Sequence, residues 1–322
     1  MPEQPSTDPA DKPVPTARAR RRGDGDNRGV WIGIAIVGVA VLALLAYMAY
    51  GTINARMAAA KKYDDARVLI EDADSTVVQV DVVVRSRITT PGLSQDASAA
   101  VPRIALARQK LEQATRLLEA GQEDRTDDEQ EQAVLLKATA AARLAMLAQA
   151  EKILPLNVKA ADALAPASAG WAAVIEAKRL SDSAVASYNK LTKAGVTRSN
   201  QLNKQAATRL AAAKKSFQAA EKAFPEADFA PYLAYIETRL RLNKLSQQSD
   251  LAWLKGDPAA ANAVIKTYNA EDKKAVEQAK KLPASPETVI AAAYEATAGA
   301  ATDAYNAARE AALKADEALR DF

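Results

Sequence analysis

The chain is 322 residues long, with 49% hydrophobic and 26% charged residues and a formal net charge of +3. It contains no cysteine and no histidine. Those absences remove disulfides, thiol nucleophiles, thiolate metal sites, histidine general bases and His-based phosphorelay, and with them most zinc, haem and iron–sulfur chemistry. From Thr52 to Phe322 the charge is nearly balanced with no basic cluster, so no nucleic-acid face is expected.

Residues 1–28 hold Pro2, Pro5, Pro9, Pro13 and Pro15 with no apolar periodicity. Such a segment buries too little to offset its chain entropy, and it reads as a disordered Arg/Pro-rich cytoplasmic leader. Between Gly29 and Ala55 no residue is charged, and Val30–Tyr50 is apolar almost throughout. Twenty-one helical residues span ~32 Å at ~1.5 Å each, enough for a bilayer core. Residues 29–51 are therefore predicted to be a transmembrane helix, with Trp31, Tyr47 and Tyr50 as interface anchors. The run exceeds the ~7–15 residues of a secretory core and lacks a well-placed small-residue cleavage site, so an uncleaved, single-pass signal anchor is expected. Arg18, Arg20, Arg21, Arg22 and Arg28 precede it; Arg56, Lys61, Lys62 and Arg67 follow. The basic-inside tendency puts the N-terminus in the cytoplasm and the C-terminal domain outside it.

No Gly or Pro interrupts Thr52–Thr90, so the first helix is expected to continue past the membrane. Ala66, Ile70, Ala73, Val77, Val80 and Val84 form a coiled-coil-like seam along it. The run Val77–Val84 resembles a strand in composition, but no second strand exists for it to pair with. Thr89-Thr90-Pro91-Gly92 ends that helix, and a second is predicted near Pro102, stopping at Gly121. Thr126 and Glu129 form a capping box for a third, running to about Leu154 before Pro155. A short piece over Asn157–Ala165 ends at Pro166, and a longer helix covers Ser168–Ala194, closed by Gly195. Asn200–Phe224 carries another stripe, Ala206, Leu210, Ala213, Phe217, Ala220 and Phe224, and Pro225 stops it. Three more helices are predicted at Pro231–Lys255, Pro258–Leu282 and Pro286–Leu319.

The predicted fold is all-α: one transmembrane helix, then an elongated bundle or α-solenoid of about eight antiparallel helices. A subdivision near Gly195–Asn200 gives halves 52–195 and 196–322.

Ala213, Phe217, Ala220 and Pro225, followed by Gly256-Asp257-Pro258 with Ala261 and Ile265, resemble the second-helix and turn positions of a tetratricopeptide repeat. The resemblance covers roughly residues 201–283; no first helix carries the family's Trp/Leu-Gly/Tyr pattern, and Tyr232–Lys255 is long for a 34-residue period. It implies TPR-like helix pairs and a peptide-binding scaffold, with Phe224, Phe229, Tyr232 and Tyr235 as the candidate protein-binding groove. The alternative use of these rings is to fill the junction between helices.

Carboxylates alone can hydrolyse a glycosidic bond, and Asp64-Asp65, Glu71-Asp72 and Asp127-Asp128-Glu129-Glu131 are the densest acidic sites. Each sits in a polar helical turn, where capping or solvation explains it. Isolated glycines make no phosphate loop, and no calcium-loop spacing is present. No catalytic, cofactor or metal residue is expected. The functional expectation is a membrane-anchored extracytoplasmic helical scaffold or binding protein of a bacterial-type envelope. Its partners would be the bilayer through 29–51 and a protein. A glycan hydrolase with paired carboxylates, or a sensor subunit acting through a cytoplasmic partner, are the alternatives.

Overall fold

Apolar residues at alternating three- and four-residue steps decide which faces meet. The computed structural model describes the chain from Arg28 to Phe322, and side chains from Ala40 onward. Among the described residues there are seven α-helices and no strand. They are α1 (Arg28–Val84), α2 (Leu93–Ala120), α3 (Asp127–Tyr188), α4 (Lys193–Ala223), α5 (Ala230–Leu254), α6 (Pro258–Lys280) and α7 (Pro286–Asp321), with a single 3₁₀ turn at Gln122–Asp124. The chain divides into two compact units, Met1–Arg56 and Met57–Phe322.

In the first unit the large apolar side chains are exposed: Val41, Leu42, Leu44, Leu45, Tyr47, Met48 and Tyr50 are each 49–76% accessible. The leader residues Arg18, Arg20, Arg21 and Arg22 lie outside the described residues, as do the side chains of Arg28 and Trp31.

In the second unit α3 is the spine. Its 62 residues, ~93 Å of helix, take partners on every side. Long-range polar contacts give the register. Lys62–Ala120, Asp72–Lys110 and Gln79–Arg103 set α1 antiparallel to α2. Tyr63–Gln132, Asp74–Arg143 and Val83–Asn157 set α1 parallel to α3. Arg143–Asp316, Asn157–Tyr294 and Ser168–Glu287 run α7 antiparallel to the middle of the spine. Lys159–Glu226 at one end and the approach of Gly170 to Phe217 further along make α4 antiparallel to α3. Next, α5 lies antiparallel to α4 through Ser199–Asp250 and Lys214–Glu237, and α6 antiparallel to α5 through Arg239–Asp272.

Two cores result. One gathers the α1 seam, Ala66 to Val84, with α2, the first half of α3, Tyr305 and Ala312. The other gathers the second half of α3 with α4, α5, Ala275 and Ile290. Both α3 and α7 contribute to both cores, so they hold the two together. The seam predicted for α1 and the stripe Ala206–Phe224 of α4 are buried residue for residue. An intrachain use of the α1 seam follows.

Three expectations are corrected. Seven α-helices stand where about eight were expected, because Pro155 and Pro166 do not end α3 but lie inside it. Pro102 likewise lies inside α2, which starts at Leu93 behind Gly92 (φ 81°). A proline removes one backbone bond to the carbonyl four residues back and crowds that carbonyl. Pro102 and Pro155 are on exposed positions and Pro166 on a half-exposed one, so water can satisfy the freed carbonyl. The buried series Leu147, Ala150, Leu154, Asn157, Ala160, Ala163 and Ala167 passes the prolines in register, and its packing outweighs the local cost. Gly195 is not a helix stop: α3 ends at Tyr188, Leu191 takes the left-handed turn (φ 49°), and Gly195 donates its N–H to the Thr192 cap of α4.

Among the described residues α3 is the one helix long and apolar enough to cross a membrane by length and composition, and 44% of that stretch is buried inside the body. Alanine at core positions gives it that composition.

Candidate functional site

Following the α4 stripe backwards from Ala206 at the same three–four steps leads to Asn203, Ser199 and Val196, all buried. The core face of α5, continued past Leu242, runs through Asn243, Ser249 and Asp250, also buried. Both helices thus turn a polar face inward at one end of an otherwise alanine and aromatic core. Asp250 is the charged member, 1% exposed. Its Oδ2 accepts from Ser199 Oγ at 3.1 Å and Asn203 Nδ2 at 3.0 Å. Asn200 Nδ2 donates to the Gln247 carbonyl at 3.4 Å, and Gln247 Nε2 to Asn243 Oδ1 at 2.9 Å. Ser249 Oγ reaches Tyr188 OH at 3.3 Å on α3.

Ser199, Asn203, Ser249, Asp250 and Tyr188 border a cavity of about 190 Å³ at the junction of α3, α4, α5 and α6. Tyr188 and Asn189 close it on the α3 side, and Ile265, Tyr268 and Asn269 on the α6 side. Burial pushes the Asp250 carboxyl up to about 6, and the hydrogen bonds from Asn203 and Ser199 only partly oppose this. Burial likewise raises the Tyr268 phenol, with the Asp272 charge adding to it and Arg239 opposing. A buried acid with two neutral donors and no guanidinium or ammonium among its influences is unusual, because buried carboxylates are ordinarily paired.

A contrast is supplied by Arg143, 9% exposed, in a second cavity of about 280 Å³. Its Nη2 donates to Asp74 Oδ2 at 2.9 Å and Asp316 Oδ2 at 3.3 Å, joining α3 to α1 and α7. Asp74 Oδ1 lies 2.6 Å from Nε as a charge contact, off the N–H direction. Burial raises the Asp74 carboxyl, Arg143 pulls it back, and Asp316 pushes it up. One guanidinium between two carboxylates is a helix clamp; neither acid stands in the apolar, uncompensated setting that makes a general acid.

The predicted groove residues are brought together, but inside. Phe224, Phe229 and Tyr232 are 0% exposed and Tyr235 8%. Phe217 stacks on Tyr232 with centroids 4.9 Å apart, Trp171 meets Tyr232 edge-on at 5.4 Å, and Tyr232 OH donates to the Pro283 carbonyl at 3.0 Å. The rings fill the junction between helices and offer a peptide no open face. Tyr47 and Tyr50 stand exposed in the first unit.

The acidic clusters are surface features. Glu71 pairs with Arg67 and Asp72 with Lys110, while Thr126 and Glu129 cap α3 reciprocally. Among the described residues no three acidic, His or Cys side chains group as a metal site.

The sequence reading passed over Ser199, Asn203 and Asp250. Their signal is polar residues falling in register with an apolar stripe. Comparison of the chain with family models, with curated proteins and with solved structures gives no match.

Proposed function

We propose that the chain is a membrane-anchored, helical binding protein of the cell envelope, with its N-terminus in the cytoplasm and residues 57–322 outside, and no catalytic centre of its own. One observation supports this most. Seven of the ten side chains from Val41 to Tyr50 are large, apolar and exposed, the other three being alanine, and no charge occurs between Gly29 and Ala55. In water that surface would be costly at ~25 cal/mol per Å²; in lipid it is solvated. The Tyr47 and Tyr50 rings suit the headgroup level, and the basic leader suits the inner leaflet.

A binding role in the body is supported by its construction. The helical framework, clamped by Arg143 and by Tyr305–Asp81, carries a polar cavity at Asp250 between α3, α4, α5 and α6, and paired catalytic carboxylates of the glycosidase kind find no support in the ion-paired Asp74 and Asp316.

Membrane fractionation tests the reading. The full chain should stay in the pellet after alkaline carbonate washing, and replacing Leu42 and Leu45 together by lysine should release it. A wild-type chain found in the soluble fraction would overturn the anchor.

A further inference from the structure

The strongest unexplained feature of the body is the cavity at Asp250. The half-buried acids of the helix clamps are paired with guanidinium groups: Asp74 and Asp316 have Arg143, and Asp81 has Arg309 at 3.0 Å and Arg85 at 3.5 Å. Asp250 has only neutral donors, both on Oδ2, and it lines an open volume.

We propose that this cavity is a binding site for a small organic cation, an ammonium group carried on a short apolar chain, with Asp250 as its counter-charge. Four observations converge on that class. First, the carboxylate is buried and lacks a protein cation, so an incoming ammonium supplies the missing charge and hydrogen-bond donors. Second, Tyr188 and Tyr268 line the cavity; phenol rings attract a cation through their quadrupole and tolerate an alkyl chain. Third, Val185, Leu245 and Ile265 give the remaining wall an apolar stretch for that chain. Fourth, about 190 Å³ is an order of magnitude above the ~10–15 Å³ that admits one water, and it suits a molecule of a few heavy atoms.

Other ligand classes fit less well. An anion would face the Asp250 carboxylate. A divalent metal wants about six oxygen ligands, and here a single carboxylate is flanked by groups that already donate to it. A neutral polyol would leave the charge uncompensated.

Ser199 and Asn203 are positioning residues. By donating to Oδ2 they fix the carboxylate plane and leave Oδ1 for the ligand. The titratable side chains bordering the cavity besides Asp250 are Tyr188 from α3 and Tyr268 from α6; α4 contributes Ser199 and Asn203. Beyond the wall, Asp272, Arg239 and Asp182 act on Tyr268. None of these groups ordinarily changes charge between pH 5 and 7.5, so Asp250 controls the response there.

The test uses the full chain in a nonionic detergent micelle and isothermal titration with n-butylammonium chloride, n-butanol and sodium butyrate. Saturable binding of butylammonium at pH 7.5, with none for butanol or butyrate, is expected. Affinity should fall about tenfold at pH 5, where a carboxyl titrating near 6 is mostly protonated. Asp250→Asn should abolish it. If that variant fails to fold, the wild-type pH series decides alone. Absence of saturable butylammonium binding, equal binding of butanol, or binding indifferent to pH would overturn the proposal and leave a cavity that holds water.

Discussion

A Cβ placed on Gly170 would stand 3.0 Å from both Cδ2 and Cε2 of Phe217 and 3.2 Å from Cβ of Ser216. Here α3 and α4 approach closely, and glycine is what permits it. Phe217 cannot step aside, because it is fully buried between Tyr232 and Phe229. Gly170→Val should therefore cost about 2–3 kcal/mol, as overpacking of a close-packed core does. Gly299 is the control: an added Cβ meets only the flexible end of Glu295. Gly299→Ala should stabilise by roughly 0.5–1 kcal/mol through helix propensity. Urea denaturation of both variants checks the pair.

Pro155 gives the sharpest test of the continuous spine. Inside a helix, proline forfeits a backbone bond and crowds a carbonyl, at about 3 kcal/mol. Pro155→Ala should therefore raise stability by about 1–3 kcal/mol. If α3 were instead two helices joined at this proline, the same change would be neutral or destabilising, because proline in a turn restrains the unfolded chain.

Tyr305 is fully buried, and its hydroxyl donates to Asp81 Oδ1 at 3.1 Å, fastening α7 to α1. Burial and the adjacent Asp81 charge hold this phenol well above the usual tyrosine range. Tyr305→Phe should cost about 1–2 kcal/mol, the loss of one hydrogen bond to a charged acceptor. Tyr305→Ala should cost about 3–5 kcal/mol by leaving a cavity.

Asp250 makes stability depend on pH in a direction opposite to that of a salt-bridged acid. Its folded-state value of about 6 lies above the 3.8 of the free side chain. Between these values the native state binds more protons than the unfolded state, so stability falls as pH rises. The contribution is fully present below about 4 and lost above about 6. Asp250→Asn removes the buried charge, so its advantage over the wild type should open through this window. It should reach roughly 1–2 kcal/mol at neutral pH, reduced from the full shift because the cavity solvates one edge of the carboxyl. Chemical denaturation at pH 4 and pH 7 measures the difference.

Local periodicity made much of this legible. The α1 seam from Ala66 to Val84 and the α4 stripe from Ala206 to Phe224 are buried as their spacing requires. The Thr126–Glu129 box and the helix starts at Pro258 and Pro286 stand where capping chemistry puts them. What escaped is non-local. Pro155 and Pro166 read as stops because proline's cost is local, while the packing that overrides it comes from α4 and α7 further along the chain. Asp250 escaped for a similar reason: its partner Ser199 is 51 residues away, and its one local mark is its register with the apolar face of α5. The ring cluster around Tyr232 was visible as a group, but whether it opened to solvent depended on how α3 and α4 close over it.

The most direct test of the account is topology. A reporter active only outside the cytoplasm, fused after Phe322, is compared with a fluorescent protein that folds only inside, both on the full chain. Activity of the external reporter with a dark internal one is the predicted result. The reverse pattern would contradict the account and make residues 57–322 a cytoplasmic domain.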